Sequence, residues 1–142
     1  MEAIKLKSVT KNIFLGILVS LMILSFTSCA TKMVFSNSPI VPGARGTVKV
    51  KSDKNKNYTI QIEISYLAEI EKLQPPKHTY VVWLVTKHEL AKNLGRITSS
   101  KNLKASFKTV SSIKPTKIFI TAEDDGNVQY PGTMVVLSTS KE

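Results

Sequence analysis

The sequence predicts an all-β protein, one antiparallel β-sandwich of about seven short strands behind an N-terminal signal helix. Three observations predict it. Tyr58, Ile60, Ile62, Ile64 and Tyr66 alternate without a break with Thr59, Gln61, Glu63 and Ser65, the period of a half-buried strand. Tyr80-Val81-Val82-Trp83-Leu84-Val85 is continuously apolar, which suits a central strand covered on both faces. Turn-forming clusters recur roughly every 8–12 residues, and no helical periodicity follows Cys29.

The N-terminus reads as an export signal, residues 1–28. Lys5, Lys7 and Lys11 precede an apolar run of 14 residues, Ile13 to Phe26. As a helix that run would cover about 21 Å, short of the roughly 30 Å of a bilayer core. A basic start, a short apolar run and small residues after it are the pattern of a secretory signal peptide. The run ends in Ser25-Phe26-Thr27-Ser28-Cys29, which resembles a bacterial lipobox, with Phe26 in place of the usual aliphatic residue. Cys29 is the only cysteine in the chain. It is the expected lipidation site and the first residue after cleavage. Several acyl chains would anchor firmly where one binds only marginally. Removing residues 1–28 takes away three Lys and one Glu, so the 114 residues left keep +8 of the +10 charge.

Residues 29–45 read as the lipidated cysteine and a flexible tether, since Ser36, Asn37, Ser38, Pro39, Pro42 and Gly43 are polar or turn-forming. The sandwich is expected over 46–142. Val48 and Val50 alternate with Lys49 and Lys51, and Ser52–Asn57 forms a turn before the strand that begins at Tyr58. Leu67–His78 is a long connection holding Pro75-Pro76, with room for a short helical turn near Glu69–Leu73. Thr79–Val85 is the central strand, and Leu94–Thr98 a short one around Gly95. Leu103, Ala105 and Phe107 alternate with Lys104, Ser106 and Lys108. Lys117–Ala122 and Thr133–Ser138 are rich in β-branched residues, separated by the turn chemistry of Asp124-Asp125-Gly126-Asn127. The strand count and the domain's size are those of an immunoglobulin-like sandwich.

Composition excludes several functions. One cysteine permits neither an intrachain disulfide nor a multi-Cys zinc site. A net charge of +10 with a pI near 9.8 indicates an anionic neighbourhood.

Four blocks carry a resemblance: Thr79-Tyr80-Val81-Val82-Trp83-Leu84-Val85, Asn93-Leu94-Gly95-Arg96-Ile97, Ile118-Phe119-Ile120-Thr121-Ala122-Glu123 and Pro131-Gly132-Thr133-Met134-Val135-Val136-Leu137. Their order and spacing resemble the C-terminal extracytoplasmic domain of anti-sigma-K factors over residues 78–138. The resemblance implies a β-sandwich outside the cytoplasmic membrane. Members that regulate transcription also carry a cytoplasmic sigma-binding helical domain and a membrane span. This sequence shows neither, so the resemblance carries the fold over and not direct contact with a sigma factor.

The candidate chemistry is sparse. His78 and His88 flank the central strand and should lie too far apart to share a metal. Glu123-Asp124-Asp125-Gly126-Asn127 groups three carboxylates without the alternating ligands of a calcium loop, so it reads as a solvated hairpin turn. Ser99-Ser100 and Ser111-Ser112 have no acid or histidine at a suggestive spacing. Trp83, inside an apolar strand, is expected to anchor the core of the sandwich. Lys49, Lys51, Lys104 and Lys108 occupy the polar phase of strands. Two readings of them stay open: a soluble surface that blunts sheet edges, or a patch for anionic lipid or acidic glycan. No aromatic-interleaved basic motif points to nucleic acid.

The expected protein is therefore a non-enzymatic envelope lipoprotein, anchored to a bacterial membrane through Cys29 and facing away from the cytoplasm. No cofactor and no metal are expected. Its expected contacts are the membrane and an unidentified envelope protein or an anionic glycan or lipid. A lipid-anchored enzyme with an unrecognised site and a purely structural envelope lipoprotein are the alternatives.

Overall fold

The computed structural model describes residues 2–23 and 29–140. A helix, α1 (Glu2–Ile23), carries the three N-terminal lysines and most of the apolar run. Among the described residues no helix is long and apolar enough to cross a membrane. The segment Ser25-Phe26-Thr27-Ser28, expected to precede the cleavage point, lies outside the described residues.

Eight strands follow among the described residues: β1 (Ala30–Val34), β2 (Arg45–Ser52), β3 (Tyr58–Ser65), β4 (Thr79–Val85), β5 (Ala91–Ile97), β6 (Lys104–Ser111), β7 (Lys117–Glu123) and β8 (Val135–Ser138). They make two four-stranded antiparallel sheets, in the orders β1-β2-β3-β6 and β5-β4-β7-β8. A single 3₁₀ turn, Ile70–Lys72, falls in the β3–β4 connection where the sequence left room for one.

Period-2 alternation explains the core. Val48, Val50, Ile60, Ile62 and Ile64 of the first sheet face inward, and so do Tyr80, Val82, Leu84, Ile118 and Ile120 of the second. Each is at most 7% exposed. On one side the sheets join through β1, which runs out of the first sheet onto the second. Phe35 bridges Thr139, and the Ser36 N–H donates to the Ser138 carbonyl at 2.9 Å. This crossing needs Gly46, because a Cβ there would lie 2.7 Å from the Glu63 carbonyl oxygen and 3.0 Å from the Phe35 ring.

Two expectations are corrected. Residues 30–45 are not a free tether. Ala30–Val34 pairs along its whole length with β2, and Phe35, Val41 and Ala44 are buried in the core. Ser38 is buried too, its Oγ accepting the Val41 N–H at 2.9 Å. The turn-forming residues are real, but they shape a packed crossover between strands.

Trp83 is fully buried, yet it lies outside the core between the sheets. Alternation along β4 sends Tyr80, Val82 and Leu84 inward and Val81 and Trp83 to the outer face of the second sheet. There the indole stacks on Phe119 with ring centroids 6.1 Å apart. Residues 124–134, the β7–β8 loop, are pinned over this face. The Asn93 side-chain amide donates to the carbonyls of Gly126 and Val128 at 3.0 and 2.9 Å. Beneath the loop, Trp83 Nε1–H donates to Thr121 Oγ1 at 2.8 Å, and Thr121 donates to Glu123 Oε1 at 2.6 Å. Glu123 Oε1 also accepts the Gly132 N–H at 2.7 Å.

Candidate functional site

The four lysines singled out in the sequence share one surface. Val48 and Val50 of β2 point into the core, so Lys49 and Lys51 point out. Lys108 pairs with Gln61, and Gln61 with Lys49, which places Lys108 on the same outer face across β3. Lys104 pairs with Ser65 and Ser65 with Arg45, at the far end of the same face.

The structure adds two cations that the tether reading hid. β1 brings Lys32 opposite Lys49, and Arg45 opens β2. One cross-strand row therefore reads Lys32, Lys49, Gln61, Lys108. Directly opposed like charges repel and destabilise a sheet, so the Lys32–Lys49 pair is a cost that folding alone does not require. Six cations occupy the face: Lys32, Arg45, Lys49, Lys51, Lys104 and Lys108, all exposed. Glu63 is the acid among them, on β3 between Thr47 and Ser106, and it accepts from the Gln61 amide at 3.3 Å. Ion pairs join Lys72 to Glu69 and Lys77 to Asp124, away from this face.

Position along the chain ties the face to Cys29. That residue is exposed and immediately precedes Ala30, the first residue of β1. Ala30 lies opposite Lys51, so the cysteine stands at a corner of the cationic face, with the β2–β3 turn beside it. In that turn Asp53 Oδ1 accepts the N–H groups of Asn55 and Asn57. Those bonds, that from the Asn57 backbone above all, hold the Asp53 carboxyl below its usual range.

The remaining candidates separate. His78 stands at one end of β4, its Nδ1 3.2 Å from the Asp124 carbonyl oxygen, and His88 stands beyond the other end, in the β4–β5 turn. The acidic cluster points three ways. Glu123 is buried under the β7–β8 loop, Asp124 pairs with Lys77 at 2.8 Å, and Asp125 accepts the Asn127 N–H within the loop. The Lys77 ammonium draws the Asp124 carboxyl below its ordinary value. Among the described residues no group of three or more His, Cys, Asp or Glu is placed to hold a metal.

A cleft of about 740 Å³ opens where β4 and β8 end and β7 begins. Its threonine hydroxyls are spent on the backbone. Thr86 Oγ1 accepts from His88 and Leu90 N–H, Thr116 donates to the Val85 and Thr86 carbonyls, and Thr139 Oγ1 accepts from Ile118. Ser99 donates to the Leu67 carbonyl, and Ser111 Oγ accepts the Ile113 N–H. These hydroxyls hold loops in place.

The chain matches no family model and no curated protein.

Proposed function

We propose that this protein is a lipid-anchored component of a bacterial cell envelope, held through Cys29 and facing away from the cytoplasm. Its sandwich works by non-catalytic contact with an anionic surface. We read the sandwich as immunoglobulin-like, a scaffold that presents faces and loops for binding. The resemblance of residues 78–138 to the C-terminal domain of anti-sigma-K factors supports an extracytoplasmic location. It does not bring a sigma factor as a partner.

One observation carries the reading: six cations and one acid gather on a single sheet face beside the lipidation candidate. Each Lys or Arg near an anionic membrane contributes about 1 kcal/mol. A net five charges thus contribute at most about 5 kcal/mol, a dissociation constant of a few tenths of a millimolar. That is too weak to hold a free domain in place. For a domain already anchored it is enough to select which face makes contact.

The test uses the chain from Cys29 onward carrying Cys29→Ser, sedimented with phosphatidylcholine vesicles with and without phosphatidylglycerol. Binding is expected only with the anionic lipid, fading as salt rises and the Debye length shrinks. Changing Lys49, Lys51, Lys104 and Lys108 to Gln should remove most of it. Salt-insensitive binding, or no loss in the quadruple variant, would refute the contact reading and leave those lysines as a soluble surface.

A further inference from the structure

We propose that the outer face of the β1-β2-β3-β6 sheet lies flat on the anionic headgroups of the same bilayer that holds the Cys29 lipid. This turns the β7–β8 loop outward. The inference rests on the reading of Cys29 as the anchor and adds an orientation to it.

Geometry carries the argument. Consecutive Cα atoms are about 3.8 Å apart, so Ala30 starts a paired strand within one residue of the anchor. No slack separates the lipid from the sheet. The sheet must therefore leave the membrane end-on or lie along it. From Lys51 to Arg45 is six residues of β2, about 20 Å at 3.3 Å per residue. Standing end-on, the sheet would hold Arg45 and Lys104 about 20 Å above the headgroups, more than two Debye lengths at physiological salt. Lying flat, all six cations sit within one. The electrostatic preference is for the flat arrangement.

The face is built to tolerate that contact. Val34 and Val110 stand exposed on it at 55% and 62%, small apolar groups among the lysine stems. The opposite side has no comparable charge excess. There Glu123, Asp124 and Asp125 match Lys77, Arg96 and Lys117 in number. Charge asymmetry selects this face, and the anchor at its corner keeps it within reach of the headgroups.

Two single cysteines test the orientation in the full chain, processed in bacteria and reconstituted into vesicles rich in phosphatidylglycerol. Gln61→Cys lies in the lysine row, and Tyr130→Cys lies on the β7–β8 loop, where Tyr130 is 82% exposed. An acylated Cys29 has no free thiol to compete for label. Labelling by a membrane-impermeant maleimide is measured against each variant's own rate in neutral detergent. Gln61→Cys should slow by roughly tenfold or more, the factor that one or two bound cations supply. Tyr130→Cys should not slow. Protection should vanish in pure phosphatidylcholine vesicles, and when Lys32, Lys49 and Lys108 are changed to Gln.

A chain that mass spectrometry finds without acyl groups overturns the anchor reading and this inference with it. An acylated chain in which Gln61→Cys reacts as freely as Tyr130→Cys overturns the flat docking alone. Protection of Gln61→Cys by soluble acidic polysaccharide but not by vesicles also overturns it, and assigns the face to a glycan instead.

Discussion

Trp83→Ala should be the most damaging single change in the second sheet, and its magnitude follows from the contacts. The side chain is fully buried, stacked on Phe119, and donates to Thr121 at 2.8 Å. Deleting a buried indole costs about 3–5 kcal/mol in transfer and cavity terms. The stacking accounts for about 0.5–1.5 kcal/mol within that. The lost N–H bond adds about 1 kcal/mol, since Thr121 keeps its own donation to Glu123. Against a total of about 5–15 kcal/mol for a domain of this size, that is a large fraction. Urea unfolding of the chain from Cys29 onward, carrying Cys29→Ser and followed by far-ultraviolet circular dichroism, measures it. Lys104→Ala, an exposed position, should stay within about 0.5 kcal/mol of wild type. The placement of Trp83 under the loop adds a second readout. Exchange of the Gly132 amide, which donates to Glu123, should accelerate in Trp83→Ala while amides of β3 keep their order. Equal midpoint shifts for Trp83→Ala and Lys104→Ala would refute the burial. Unchanged Gly132 exchange in a destabilised Trp83→Ala would refute the coupling between the indole and the loop.

Cys29→Ser in the full chain should abolish uptake of labelled fatty acid and release the processed protein from membranes; a variant that still takes up label refutes the lipobox reading. Phe35→Ala should cost about 3–5 kcal/mol in the same urea assay, because its ring is 7% exposed in the core, whereas a residue of a free tether would cost nothing measurable. Burial first, and the Glu71 carboxylate second, push the Tyr80 hydroxyl from 10.0 up to about 12. The protonated phenol is thus favoured by folding, so stability is fully present below pH 10 and falls as pH rises from 10 to about 12. Tyr80→Phe should flatten that alkaline limb and cost about 1 kcal/mol at neutral pH through the lost bond to the Ala68 carbonyl; an unchanged limb refutes the assignment.

The strands that were legible in the sequence are those whose period is set locally. Tyr58–Ser65 alternates along its length, and Thr79–Val85 is bounded by a proline-rich loop on one side and charged residues on the other. β1 has no such signature. Its inward positions are Thr31 and Met33, and it is a strand because β2 offers it a partner and Phe35 anchors its end. Pairing of that kind depends on the whole fold, and missing it also hid Lys32. Arg45 is hidden for a related reason, since it is the first residue of β2 and follows the turn-forming stretch directly. The face of Trp83 was illegible for a different cause. A strand buried on both sides shows no alternation, so only the loop folded over the second sheet tells which layer the indole fills. The four lysines of the site were readable because β2 and β6 both alternate strictly, and the phase of each strand is enough to place its outward residues.

The contact reading stands or falls on where the charge is, not on how much there is. Two triple variants separate the two: Lys32, Lys49 and Lys108 changed to Gln, which empties the cross-strand row, and Lys87, Lys92 and Lys114 changed to Gln, exposed positions off that row. Both lose the same three charges. Binding of each to phosphatidylglycerol-rich vesicles, measured across a salt series on the non-acylated chain, should differ sharply. The row variant should lose most of its affinity and most of its salt dependence, while the second stays near wild type. Equal losses in the two would contradict the account, because binding would then follow net charge and owe nothing to the face.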